Sequence, residues 1–391
     1  MRSTVQIRDD FVPYIEKPQE YEAMKTITAA VARARKAPLS IEELRLDDIR
    51  NDEVRVKLVA SGICHNDALT RDGVYPTPLP AVLGYEGAGI VEEVGADVTS
   101  VKPGDHVILS AAYCGHCAQC LAGDVAYCAN MMTVDFGGRR RDGSTSLSTA
   151  SGEVVSSHYF GQSSFSTYVN ALERAVVPVP ADVPLEILAP LGCGIQTGAG
   201  SVLNDLRPEA GSVLAVAGTG GVGLAAIMAA KVAGCGTVIA VDVHDSRLEL
   251  ARELGATHTV NSKTADLGAE LDRITGGRGV NYILDTTGVP AVLSGLAKAL
   301  AVRGVLATVG SAPAGTEVPF EIGLSLPKGW TFKTIIQGSS VSQNFIPRLV
   351  ELWSQGRFPV EKLVKQYAFE DINKAFEDSA SGATVKPVVV F

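Results

Sequence analysis

The chain has 391 residues, of which 46% are apolar, and a formal net charge of −9. It is long enough for two domains with ordinary buried cores. Its modest acidity, with no basic stripe, argues against nucleic acid or an anionic membrane surface as a partner, and no apolar run is long enough to span a bilayer.

Residues 1–23 are polar and lack an apolar core, so they do not read as a secretory signal. They are expected to be a loose extension, or to precede a natural start at Met24, or else to form a short arm packed on the body. From Met24 the run MKTITAAVAR reads as a strand. The runs EVRVKLVA, GAGIVEEVG, DHVILSAAY, SFSTYVN and RAVVPVP follow before residue 190, punctuated by Gly, Pro and Asp. This predicts a mainly β domain with long loops. The Ser-rich stretch 138–157 is expected to be a polar surface loop.

The rhythm then changes. SVLAVA (212–217) reads as a strand and GVGLAAIMAAKVAG as a helix. TVIAVD, a helix around 246–254, NYILDTTG, a helix around 290–301 and GVLATVG come next. Strands alternating with helices predict a doubly wound parallel sheet. Ser246 and Glu249 have capping-box spacing at the start of the second helix. The tail, FIPRLVELWSQGRF then TVKPVVVF, reads as a helix and a strand that return to the first domain. The expected division is 24–195 with 340–391 as a catalytic domain and 196–339 as a Rossmann domain.

Gly218, Gly220 and Gly223 have G-x-G-x-x-G spacing between a strand and a helix, with Gly221 and Val222 completing the loop. Asp242 ends the next strand, nineteen residues beyond Gly223. Such glycines let the backbone approach a pyrophosphate, and the helix N-terminus supplies N–H groups to it. Asp242 is placed to accept hydrogen bonds from the adenosine ribose and to repel a 2′-phosphate, which predicts NAD(H). Arg247 is near enough in sequence to assist with the ribose, or else is a solvated helix residue.

Cys114, Cys117, Cys120 and Cys128 form C-x2-C-x2-C-x7-C. Four thiolates so spaced can close a tetrahedron on Zn²⁺ with no open position, which is a structural site. His116 lies within the cluster but has no vacant position to fill, and is expected to be exposed. Seven Cys without a secretion signal predict a reducing, cytoplasmic setting. Cys235 reads as a small core residue.

With these motifs on the page, the chain from Met24 onward resembles the zinc-containing medium-chain alcohol dehydrogenases. Within them it looks most like the NAD-dependent aryl-alcohol (benzyl alcohol) dehydrogenases. SGICHND, GYEGAGIVEEVG, the cysteine lobe, FGGRRRDGS, FGQSSFSTYV, PLGCGIQTGAG, AGTGGVG and IPRLVELWSQGRFP carry the resemblance. It implies an α/β protein with a GroES-like, mainly β catalytic domain, a doubly wound Rossmann domain and a cleft between them. It also implies a homodimer or homotetramer acting on a small alcohol or carbonyl substrate. A second, catalytic zinc would be held by Cys64, Cys193 and Glu86, with Tyr85 where the family has a His ligand. His65 matches a pyrophosphate contact, Asp67 the carboxylate that orients the ligand His, and Lys386 a basic residue reaching the cofactor phosphates.

Two residues depart from the family pattern. Asn66 stands where a Ser or Thr would relay the alcohol proton, and an amide does not readily relay protons at neutral pH. Leu69 offers no replacement. At Tyr85, a phenol must lose a proton of pKa about 10 to bind metal well, and its oxygen reaches further than an imidazole nitrogen. Three arrangements are open: zinc held by Cys64, Cys193 and Glu86 with Tyr85 near or on it; no zinc, with Tyr85 as a proton donor; or Tyr85 as filler in a degenerate site. Correspondingly, the chain reads first as an NAD(H)-dependent oxidoreductase of aromatic or allylic primary alcohols and aldehydes. The second reading is an NAD(P)H-dependent reductase of conjugated C=C or C=N bonds without catalytic zinc. The third is a non-redox lyase or binding protein on the same fold.

Overall fold

The computed structural model describes residues 24–391, so the expectation for residues 1–23 lies outside the described residues. Among the described residues the strands form three sheets. In the first, Lys25–Ala32 pairs antiparallel with Ser40–Leu46. The second strand was not anticipated. Its sequence SIEELRL does alternate, burying Leu44 and Leu46 and exposing Glu43 and Arg45, but its charges obscure the period.

The second sheet centres on Glu53–Gly62. Its Val54, Val56 and Leu58 point at period two into a core with Val91, Val107 and Val169. The strand pairs antiparallel with Glu86–Val94 on one edge. On its other edge it pairs with Tyr168–Leu172 and, near its end, with the tail strand Lys386–Val390. That tail strand also runs parallel to Val364–Ala368.

The third sheet is parallel and six-stranded. Its order is His258–Asn261, Thr237–Asp242, Val213–Ala217, Val280–Asp285, Leu300–Thr308 and Thr331–Thr334. Helix Gly221–Ala233 buries every residue from Gly223 to Ala230, which is why its sequence is apolar nearly all round. A Cβ at Gly223 would stand 1.8 Å from the Gly218 carbonyl oxygen, so the turn and the helix meet only because this residue is glycine. No helix among the described residues is long and apolar enough to cross a membrane.

Two local expectations are corrected. The second helix of this domain spans Asp245–Leu254 with His244 as its N-cap and no side-chain cap. Ser246 is already inside the first turn, so its hydroxyl does not form the capping box. The stretch 138–157 is more than a surface loop: it contributes strands Leu147–Ser148 and Val154–Val155 and buries Arg140. The Arg140 guanidinium bonds Glu53 at 2.7 and 2.8 Å and Asp47 at 2.7 and 3.0 Å. His158 Nε2 lies 2.7 Å from the same Glu53 carboxylate. Burial opposes ionisation of Glu53, but His158 and Arg140 together hold its carboxyl down to about 2.

Candidate active site

Sheet register assembles the cleft. Gly62 lies opposite Glu86, the first residue of its strand, and Cys64 follows as the N-cap of helix His65–Arg71. A Cβ at Gly62 would fall 2.0 Å from Glu86 Oε2, so glycine there makes room for the carboxylate. Cys193 caps helix Gly194–Gly200, whose first N–H donates to Glu86 Oε1 at 3.0 Å. The ligand atoms of Cys64, Glu86 and Cys193 all lie within 4.8 Å of one another.

Lys386, first residue of the tail strand, places Nζ 2.5 Å from Glu86 Oε2 and 2.9 Å from the Ile63 carbonyl. The contact with Glu86 is a buried ion pair, with Lys386 supplying the positive charge that faces Oε2. Burial pushes the Glu86 carboxyl up to about 7, against the pull of Lys386. The Cys193 thiol beside it holds Cys64 well below the ordinary thiol range, whereas Cys193 itself is pushed up. Two cysteine sulfurs, one of them held as a thiolate, and a carboxylate are donors of the types and spacing that suit zinc.

Tyr85 is buried. Its ring stacks on Phe160 with centroids 4.0 Å apart, and its hydroxyl accepts from Cys193 Sγ at 3.3 Å. Its backbone carbonyl is held by Gln162 at 3.0 Å. Burial, then the neighbouring sulfurs, push the phenol pKa well up, so it stays protonated. The hydroxyl lies against the sulfur pair, closer than its greater reach had suggested. Asp67 has no imidazole to orient. It accepts the N–H groups of Cys64 at 2.9 Å and Gly84 at 3.1 Å, fixing the backbone on both sides of the cluster.

The cavity beside this cluster has a volume of about 260 Å³. Its wall includes Cys64, His65, Asn66, Tyr85 and Cys193 from one side and Val222, Thr286 and Ser311 from the Rossmann side. His65 is exposed. Ser311 donates across the cleft to Asn66 Oδ1 at 3.3 Å. Among the wall residues that sequence reasoning missed are Tyr75, Met131, Met132, Asp135, Phe136 and Phe160. Phe136 and Phe160 open two of the stretches that carry the family resemblance, but no local spacing points their rings at a cavity.

A second cavity, of about 430 Å³, is lined by Gly218, Gly220, Asp242, His244 and Arg247. Gly220 caps the helix that Gly221, Val222 and Gly223 begin. Asp242 Oδ2 takes the Thr219 N–H and hydroxyl, both at 2.7 Å, while Oδ1 takes the N–H groups of Val243 and His244. Burial opposes its charge, but these donors hold the carboxyl below the usual range. Arg247 is half-buried beside Gly382. Lys386 passes its stem by Gly221, although its Nζ is turned to Glu86.

In the lobe, the four sulfurs of Cys114, Cys117, Cys120 and Cys128 also lie within 4.8 Å of one another. Backbone N–H groups of Cys114, Cys120 and Ala129 point at sulfurs from 3.4 to 3.5 Å. His116 is exposed, with Nδ1 against the Cys114 carbonyl. Cys235 is half-buried against the core of the Rossmann domain.

Residues 50–181 match the alcohol dehydrogenase GroES-like domain and residues 221–355 the zinc-binding dehydrogenase family. The chain is 41% identical over 364 residues to geraniol dehydrogenase of Castellaniella defragrans, covering 93% of this chain and 97% of that one. This chain belongs to the zinc-binding alcohol dehydrogenase family. The dehydrogenase superimposes on benzyl alcohol dehydrogenase of Acinetobacter calcoaceticus with a TM-score of 0.91 at 46% identity, covering 94% of this chain and 100% of that one. An alcohol dehydrogenase zinc-binding domain protein from Burkholderia ambifaria gives a TM-score of 0.93 at 51% identity, covering 94% and 99%. The GroES-like and Rossmann-type fold is therefore that of its relatives, and the dehydrogenase is an oxidoreductase of a zinc-binding family.

Proposed function

We propose that this dehydrogenase interconverts aromatic or allylic primary alcohols and aldehydes with NAD(H). The observation that carries the reading is the Cys64–Glu86–Cys193 cluster at the wall of an aromatic-lined cavity shared with the Rossmann domain. Cys64, Cys193 and Glu86 would hold a zinc ion, which as a Lewis acid lowers the cost of alkoxide formation. Tyr85 remains a neutral phenol beside it, fixed by its stack on Phe160. Tyr75, Phe136 and Phe160 suit a flat, unsaturated substrate, in keeping with the geraniol and benzyl alcohol activities named for two relatives.

The lobe cysteines would hold a closed, structural zinc. Asp242, kept ionised, favours NAD(H) over the 2′-phosphorylated cofactor. Self-association is supported by the outer strand Thr331–Thr334 and by exposed Ile322 and Leu326.

The test is oxidation of benzyl alcohol and geraniol with NAD⁺ and with NADP⁺, followed by nicotinamide absorbance, alongside zinc per chain. Alcohol-dependent reduction of NAD⁺ in preference to NADP⁺, with two zinc ions per chain, is the expected result. Turnover of conjugated C=C bonds with only the lobe zinc present would favour the reductase reading instead.

A further inference from the structure

The aromatic wall of the substrate cavity is interrupted by a carboxylic acid. Asp135 caps the short helix Met131–Val134 and lines the same cavity as Cys64 and Cys193. It is 3% exposed, and its Oδ1 finds no hydrogen-bond partner among the described residues. Burial pushes its carboxyl well above the ordinary range, opposed only by the nearby Ala112 N–H. No Lys or Arg shares the wall with it: among the cavity residues the other ionisable side chains are Cys64, His65, Tyr75, Tyr85 and Cys193.

The position of this acid along the cavity can be followed through the rings. Tyr85, whose hydroxyl touches Cys193, stacks on Phe160. Phe160 meets Phe136 edge to face at 4.9 Å, and Phe136 stacks on Tyr75 at 4.5 Å. Asp135 immediately precedes Phe136, and its backbone carbonyl accepts the Phe160 N–H at 2.7 Å. The acid therefore shares the cavity wall with the sulfur cluster and is separated from it along the wall by the Tyr85–Phe160 and Phe160–Phe136 ring contacts.

An acid buried without a full set of hydrogen bonds is costly to keep. A ligand group that satisfies it is favoured, and an apolar group of equal size is disfavoured. We infer that Asp135 reads the substrate, selecting aromatic or allylic alcohols that carry a second hydroxyl remote from the reacting carbon. A hydroxyl suits this position because it donates to a carboxylate and accepts from a carboxylic acid. The inference rests on the alcohol-oxidising reading of the cleft and names the substrate class within it.

The experiment compares 3- and 4-hydroxybenzyl alcohol with the near-isosteric 3- and 4-methylbenzyl alcohols, using zinc-replete enzyme and NAD⁺. The parent is expected to prefer one hydroxyl-bearing isomer over its methyl counterpart by about tenfold or more in kcat/KM, carried mainly by KM. D135L should abolish that ratio, and D135N, which keeps the shape, should diminish it. A purely structural role for Asp135 would lower stability and leave the ratio where it was. Equal kcat/KM for the hydroxyl and methyl pairs in the parent overturns the inference even if both variants fail to fold. So does an unchanged ratio in a folded D135L. Binding of the same four alcohols to NADH-saturated protein, by calorimetry, separates the two levels. A hydroxyl preference in binding without oxidation leaves the Asp135 subsite standing and removes the alcohol-oxidising reading. Oxidation without preference does the reverse.

Discussion

In the lobe, Cys114, Cys117, Cys120 and Cys128 come from one stretch of fifteen residues; in the cleft, Cys64, Glu86 and Cys193 come from three elements far apart in the chain. The lobe sulfurs are held by their own loop, whose backbone N–H groups point at them. The cleft atoms are held by the register of one sheet, by a helix start and by a tail strand. Their electrostatic settings differ as well. The cleft contains a cation, Lys386, paired directly with one of its donors, whereas at the lobe Arg141 and Arg174 donate to the Cys114 carbonyl and not to a donor atom of the cluster. Local geometry can make a closed site for an ion that does no chemistry. Long-range geometry is needed where donors, a proton path and a substrate wall must all converge.

The comparison breaks most visibly at the lobe. Cys117→Ser should lose the lobe metal and lower the thermal midpoint by roughly ten degrees or more, since metal binding at such sites is folding energy. Calorimetry with metal analysis decides it, and an unchanged midpoint with full metal would mean the four sulfurs do not act as a unit. Next in size is Lys386→Met, which leaves Glu86 buried beside no cation. Breaking a buried pair from one side commonly costs about 3 kcal/mol, and at neutral pH the loss should fall below that because Glu86, already raised to about 7, takes up a proton. Urea unfolding with and without added zinc sharpens the contrast: the loss should shrink with zinc, because the metal supplies the missing positive charge. An equal loss in both conditions would show that Glu86 does not face the ion.

The smallest expected effect on the fold, and the most informative for chemistry, is repair of the two departures. Asn66→Thr restores a hydroxyl at the family's relay position, and one acid–base step is commonly worth about a hundredfold in rate. Tyr85→His offers a neutral nitrogen ligand near Asp67, whose oxygens can each accept a further bond. The double variant should oxidise benzyl-type alcohols faster than either single variant and bring cleft zinc close to full occupancy. Steady-state rates and zinc content on all four proteins check this. A parent that is already fast, with both sites full, would make Tyr85 a competent neighbour of the metal and leave Asn66 without a penalty.

The Rossmann half was readable because its signals are local. A strand, Gly218 to Gly223, a helix and Asp242 follow one another in sequence, and the loop forms where spacing put it. The lobe was readable for the same reason. Nothing in local spacing joins Cys64 to Cys193, so that pairing came from resemblance alone. Ser40–Leu46 was hidden because the charges on its exposed face mask its alternation. The brace of Glu53, Arg140 and His158 was hidden because a buried ion pair looks, in sequence, like surface polarity. Asp67 kept its place but took different partners, since a tyrosine offers it no ring nitrogen. Asp135 and the aromatic wall bring together residues from three separate stretches, around 75, 131–136 and 160, which no periodicity records.

The tail strand carries a consequence for synthesis. Lys386–Val390 closes the free edge of Glu53–Gly62 at Ala60, Ser61 and Gly62, one residue short of the Ile63–Cys64 step into the cleft. A nascent chain therefore holds Cys64, Glu86 and Cys193 outside the ribosome long before the strand that completes their sheet is made. Until then Glu86 lacks its cation and a short run of backbone N–H and C=O groups is open to wrong pairing. A message truncated just before Lys386 would yield a chain with its lobe, its nucleotide loop and its cysteines intact, and with the floor of its cleft unfinished.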